Sequence, residues 1–292
     1  MIRTSRRTYA GFTTRCLSVG PVGAPARVVL LHGFGDSAET WRSVFAELDQ
    51  LGISALAADL PGFGQADTPG PGPVLPQLDR FVVDLLAAES EPGQVVLAGN
   101  SLGGALTLRA ASNSEVHLRG AMPIDVAGLG LTPLVRRLLQ LNGRLRVRPP
   151  VSESRRRLPL WVPGAALGWT GRRVAVRLLY ADRQLADPVV VARMTSQISD
   201  LRSARALVGL GARIGLEVDA GFAGPHAATL SRVRCPLVIV HGRRDKIVPV
   251  SASERLHRAV PGSRLHIIDA AGHAPQLEQP HQIADLVVDL LH

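Results

Sequence analysis

The sequence predicts an α/β fold, a mostly parallel sheet with helices on both faces that is opened once by a helical insertion. Three observations predict it. Short apolar runs ending in glycine turns alternate with stretches of helical periodicity over residues 26–128. The alternation stops near residue 127, and helix-like stretches with Pro and Gly interruptions follow to about 230. It resumes at 235 and continues to the last residues. Such alternation at short intervals needs parallel strands joined by crossover helices.

The elements read as follows. "TYAGFTTRCLSVG" (8–20) holds two short β segments with no helix between them, an antiparallel edge. "ARVVLLHG" (26–33) is a buried strand. "AETWRSVFAELDQLG" (38–52) spaces Trp41, Phe45, Leu48 and Leu51 along one helix face, and Gly52 stops it. "ISALAADLPG" (53–62) is the next strand and turn, and the Pro/Gly-rich "TPGPGPVLP" (68–76) is a loop. "PQLDRFVVDLLAAES" (76–90) is a helix, "GQVVLAGN" (93–100) a strand, "SLGGALTLRAAS" (101–112) a helix and "LRGAMPIDVAG" (118–128) a strand. Beyond the insertion come strand "CPLVIVHGRRD" (235–245), helix "SASERLHRAV" (251–260), strand "SRLHIIDAAGH" (263–273) and helix "PHQIADLVVDLLH" (280–292). The domains are therefore a core of 1–126 and 231–292 and a helical cap of 127–230.

Composition bounds the function. A chain of 292 residues, 46% of them hydrophobic, suits one large domain with an insertion and argues against disorder. No apolar run reaches the roughly 18 residues of a membrane span. "MIRTSRRTYAGFTTR" carries Arg6 and Arg7 with no apolar stretch behind them, so no secretory signal and a cytoplasmic location are expected. Cys16 and Cys235 are two distant thiols, indicating neither a disulfide framework nor a metal site. The net charge is +9, and Lys246 is the only lysine. Between Val126 and Leu230 stand 16 arginines against 6 acids, while the rest of the chain is close to neutral. Nucleic acid is not expected, because no recognition motif accompanies this charge and aromatics are 4%.

In open α/β sheets ligands bind outside the carboxyl ends of the strands. Those ends carry His32-Gly33-Phe34-Gly35, Asn100-Ser101-Leu102-Gly103-Gly104, Asp125, Asp245 and His273. They supply each part of a serine hydrolase: nucleophile, base, acid and oxyanion donors. Gly99-Asn100-Ser101-Leu102-Gly103 fits G-x-S-x-G between a strand and a helix, where flanking glycines let the serine oxygen project from a strained turn. A serine that merely caps a helix needs no glycine on both sides. His273 is the base and Asp245 the acid, with Asp125 as the competing acid; Asp269 ranks below both. The Leu102 amide is one oxyanion donor and the Phe34 amide the other, with His32 and Gly33 shaping that loop. The chain order Ser101, Asp245, His273 is that of one large class of hydrolases. No metal or organic cofactor is needed.

The segments "LLHGFGDSAETW", "ADLPGFGQAD", "LAGNSLGGAL", "VIVHGRRDKIVP" and "AAGHAPQLEQP", in this order, resemble the α/β-hydrolase superfamily over nearly the whole chain. The resemblance implies an eight-stranded sheet, a Ser-His-Asp mechanism and a lid after the sixth strand, here 127–230. Dehalogenases and epoxide hydrolases of this fold have aspartate where Ser101 stands, which disfavours those reactions. Asn100 before the serine resembles the hydrolases that cleave carbon–carbon bonds of aromatic ring-fission products. Those enzymes commonly have tryptophan just after the catalytic histidine, where this chain has Ala274. The expectation is therefore a hydrolase of a small-molecule carboxylic ester, anionic or lipid-like. A carbon–carbon hydrolase and a non-catalytic binding protein of the same fold are the alternatives. The arginines of the cap read first as a solvated surface. "SRRRLPLWVPGAALGW" (154–169), with three arginines beside two tryptophans, is the stretch that a lipid interface would accept.

Overall fold

A computed structural model describes residues 1–133, 173–188, 190–192, 207, 209–211, 213–215, 217–218, 230 and 232–292. Most of the cap expected over 127–230, including 154–169, lies outside the described residues. Eight strands form one sheet: β1 (Arg3–Tyr9), β2 (Phe12–Val19), β3 (Val28–Leu31), β4 (Ala55–Ala58), β5 (Val96–Asn100), β6 (Gly120–Ile124), β7 (Val238–Gly242) and β8 (Arg264–Ile268). Their spatial order is β1-β2-β4-β3-β5-β6-β7-β8. β1 and β2 are an antiparallel hairpin, β2 runs antiparallel to β4, and every later pairing is parallel. The antiparallel edge begins at Arg3, earlier than the sequence pattern indicates, because Arg3 to Thr8 are half-buried or exposed and carry no apolar alternation.

The helices with assigned ends are α1 (Arg42–Gln50), α2 (Leu75–Glu89), α3 (Leu102–Ala111), α4 (Val250–Ala259), α5 (Pro275–Glu278) and α6 (Pro280–Leu291). Side chains of each strand alternate between two cores. Val29, Leu31, Leu97 and Ile239 face Leu78, Phe81 and Leu85 of α2, Ala105 and Leu108 of α3, and Leu256 of α4. Val28, Leu30, Val96, Ala98, Val238 and Val240 face Phe45 and Leu48 of α1 and Ile283, Val287 and Leu290 of α6. Burial on both faces explains why β3 is a continuous apolar run and why β7 opens with one, residues 238–240.

The helix expected over 38–52 is instead a 3-10 turn (Ala38–Trp41) followed by α1. Tertiary contacts break it. All four turn residues are buried, the Ala38 amide donates to Asp59 Oδ1, and Glu39 pairs with Arg15. The chain leaves the sheet after β6 and returns at β7, where the sequence alternation stops and resumes. Within that interval residues 173–179 are helical. Glu217 reaches back from it to the start of α2, where its two carboxylate oxygens accept the amides of Val74 and Leu75. No helix among the described residues is long and apolar enough to cross a membrane.

Candidate active site

Ser101 sits between β5 and α3 with φ 54 and ψ −109, a left-handed backbone that costs a non-glycine residue about 1–3 kcal/mol. The turn is held by its own backbone: the Ser101 amide donates to Ile124 O, and Ser101 O accepts from Ala105 N and Ala127 N. The neighbouring glycines are steric requirements. A Cβ on Gly99 would lie 2.3 Å from Gly103 O, and one on Gly103 would lie 2.3 Å from Leu31 O. Both clashes are against backbone, so α3 would have to move off the sheet. Gly103→Ala is therefore expected to lower unfolding free energy by about 1–3 kcal/mol, as urea titration would measure, and to slow any reaction at Ser101.

The loop after β3 lies against this turn. A Cβ on Gly33 would come 3.3 Å from both Ser101 Cβ and Asn100 Oδ1. His32 is fully buried, and its tautomer is fixed by its partners. Nε2 accepts the Leu60 amide at 2.8 Å, so Nδ1 carries the proton and donates to Gly33 O at 2.8 Å. Burial pushes the ring below the usual histidine value, in keeping with a neutral imidazole. The trans peptide that follows Gly33 is thereby oriented, and with it the Phe34 N–H, which points opposite to the Gly33 carbonyl. The Phe34 ring packs edge-on against Phe63, with centroids 5.2 Å apart. The Leu102 side chain is buried in the core. Its amide stands at the first position of α3, directly after Ser101.

Further along this loop, burial pushes the Asp36 carboxyl up to about 7, although it accepts the Ser37 amide. The native state keeps a proton that the unfolded chain loses above 3.8, so this group's stabilisation is complete below 3.8 and is lost as pH rises through about 7. Urea midpoints at pH 5 and pH 8 are expected to fall less in Asp36→Asn than in the wild type.

His273 follows β8, is 3% exposed, and places Nδ1 2.7 Å from Asp245 Oδ2. Asp245 follows β7, and its Oδ1 accepts the amides of Ile247 (2.6 Å) and Val248 (3.1 Å). Burial alone would push Asp245 up, but His273 first, and then the Ile247 amide, hold it below the ordinary carboxylate value. Asp245 therefore accepts, and His273 Nδ1 donates. Asp125, the competing acid, is brought to the same place without bonding His273. It follows β6 with φ 46, and its Oδ1 accepts the Gly242 amide at 3.0 Å. Asp269 is 78% exposed in its side chain and pairs with Arg243 on the surface.

Asn100 connects the two halves of the site. Its Nδ2 donates to His273 O at 2.9 Å, and its Oδ1 accepts from Gln276 Nε2 at 3.3 Å; Gln276 also donates to Thr40 Oγ1. The residue preceding Ser101 thus anchors the backbone of His273. Sequence reasoning missed three residues here. Gln276 is one. Glu278 accepts Gly272 N at Oε2 and Ala181 N and Asp182 N at Oε1. Lys246 Nζ donates to Arg177 O and Tyr180 O. The stretch beginning with helix 173–179 is thereby fastened to the two loops that carry Asp245 and His273. The only available signal was that these polar residues stand within five positions of Asp245 and His273, in "GRRDKIVP" and "AAGHAPQLEQP".

A family model described as "Alpha/beta hydrolase family" matches residues 28–286. An uncharacterized protein of Mycobacterium tuberculosis is 27% identical over 273 residues, covering 91% of this chain and 75% of its own. The 2-hydroxy-6-oxononadienedioate/2-hydroxy-6-oxononatrienedioate hydrolase of Escherichia coli is 24% identical over 271 residues, covering 90% of this chain and 86% of its own. Among solved structures, a carboxylesterase of Bacillus subtilis is similar with a TM-score of 0.71 at 18% identity, covering 100% of this chain and 92% of that one.

Proposed function

Given that the chain belongs to the alpha/beta hydrolase family, we propose that it is a serine hydrolase that cleaves a carboxylic ester through an acyl-enzyme. The observation that carries this reading is the 2.7 Å bond from His273 Nδ1 to a buried Asp245, anchored beside a serine on a strained strand-to-helix turn. With Nδ1–H committed to the carboxylate, Nε2 is the basic nitrogen of His273. It takes the Ser101 proton as Oγ attacks the acyl carbon, and Asp245 offsets the imidazolium charge. The Phe34 and Leu102 amides receive the oxyanion, the former aimed by the bond from His32 to Gly33 O. His273 then returns the proton to the leaving alcohol, and water releases the acyl group by the same steps in reverse roles. Asn100, Gly33, Gly99 and Gly103 position these groups and do not react.

A second reading is carbon–carbon hydrolysis of a vinylogous diketone acid, the ring-fission chemistry. The relative from Escherichia coli favours it. Ala274 beside His273 weighs against it. Labelling with a fluorophosphonate probe, followed by turnover of short and long acyl esters beside a vinylogous diketone acid, tests both. No labelling of the wild-type chain at neutral pH would sink the serine hydrolase reading. Labelling with turnover of the diketone acid alone would replace the ester by the carbon–carbon substrate.

A further inference from the structure

Asp125 is unexplained by the mechanism above, yet it lies against the acid that the mechanism uses. One oxygen or nitrogen from each of Asp125, His241 and Asp245 falls within 4.8 Å of the others. Asp125 is wholly buried. It is one of three non-glycine residues with positive φ among the described residues, and Ser101 is another. Strain of this kind, held in place at a reacting centre, points to a role there.

The hydrogen bonds around it can be counted atom by atom. Asp245 Oδ1 accepts two amides, and Oδ2 accepts His273 Nδ1. Asp125 Oδ1 accepts the Gly242 amide, and Asp125 Oδ2 receives no hydrogen bond from any donor among the described residues. His241 does not supply the missing proton. Its Nε2 faces Val248 O at 3.2 Å, and a carbonyl only accepts, so Nε2 donates. Its Nδ1 lies 2.7 Å from Ser253 Oγ and 3.3 Å from Asp125 Oδ1; in the neutral ring it accepts the Ser253 hydroxyl proton and gives Asp125 none. Burial also pushes His241 below its usual value, which agrees with a neutral ring. Two buried carboxylates this close, with no cation between them, cannot both stay charged. The amides and His273 favour charge on Asp245. The proton therefore belongs on the orphaned oxygen of Asp125.

We infer that Asp125 is a positioning residue that donates an O–H hydrogen bond from Oδ2 to Asp245 and so moderates the charge that Asp245 presents to His273. The direction of its ionisation agrees: burial first, and the Asp245 charge second, hold Asp125 well above the usual carboxylate value. The inference rests on the Ser101–His273–Asp245 mechanism. The other ionisable groups around the pair are His241 on β7, Glu254 on α4, and His273 and Glu278 beyond β8.

The test uses the full chain and two variants, with the pH dependence of the fluorophosphonate labelling rate as the kinetic readout. Asp125→Val removes the donor, leaving Asp245 a stronger acceptor for the imidazolium. The acid limb of the profile is expected to move up by about half a unit to one unit. Asp125→Asn keeps both an acceptor for Gly242 and a donor for Asp245, and is expected to bring the limb back toward the wild-type position. The infrared difference between the unreacted wild type and Asp125→Asn at neutral pH is expected to show the band of one buried carboxylic acid, because Asp36, which also holds a proton near this pH, is common to both and cancels. If both variants move the limb down, Asp125 is ionised and the inference is overturned. An unmoved limb in every variant overturns it as well, since a purely structural residue would behave so. Should Asp125→Val not fold, the infrared difference decides, and a limb of Asp125→Asn that moves down still overturns the inference. Should the wild type not label at all, the hydrolase reading fails, and the infrared band alone decides the hydrogen bond.

Discussion

Ser101→Ala is expected to abolish fluorophosphonate labelling and to lower ester turnover by a factor on the order of 10⁵–10⁶. The loss is large because no other group brought to the site among the described residues can form the acyl-enzyme. His273 remains bonded to Asp245, and the amides of Phe34 and Leu102 remain in place, so the residue left behind is a pocket that only polarises the substrate for water. The fold should survive. Alanine meets the same left-handed strain at this position as serine, and the turn is held by the backbone bonds to Ile124, Ala105 and Ala127. Thermal unfolding that matches the wild type, together with lost labelling, separates a missing nucleophile from a missing fold. Labelling that persists in Ser101→Ala would move the nucleophile elsewhere.

Asp245→Asn is expected to cost about 10⁴-fold in turnover, for a reason that the hydrogen bonds specify. The amides of Ile247 and Val248 both donate to Oδ1, so an asparagine must keep its carbonyl oxygen there. Its amide group then faces His273 Nδ1, which becomes an acceptor. The ring proton is forced onto Nε2, the atom that must receive the serine proton. The variant therefore holds the right shape with the wrong tautomer, and its activity should rise toward high pH where an alternative base is available. A fall of less than tenfold at neutral pH would mean that His273 does not depend on Asp245.

Much of this was legible in the sequence, for identifiable reasons. The strands β3, β5 and β7 are buried on both faces, so they leave unbroken apolar runs. Ser101, Asp245 and His273 stand directly beyond three strand ends, where a parallel sheet gathers loops separated by many residues. The competing acid could not be resolved that way. Asp125 and Asp245 both follow strands, and only the direction of each carboxyl, with the Gly242 amide on one and His273 on the other, tells them apart. The split of 38–52 was hidden because it arises from Asp59 and Arg15, distant residues that hold Ala38 and Glu39. Gln276, Glu278 and Lys246 were hidden for the same reason. Their partners are backbone groups, which no side-chain pattern announces.

Lys246 has one more consequence. As the sole lysine, it is the single side-chain amine in the chain, and its ammonium is spent on the carbonyls of Arg177 and Tyr180 next to Asp245. Coupling this enzyme to a resin or dye through amine-reactive esters would acylate the N-terminus first and, on longer exposure, neutralise the fastener beside its own acid. Attachment through the half-buried Cys235, which lies at the opposite ends of the strands from the reacting groups, leaves that fastener intact.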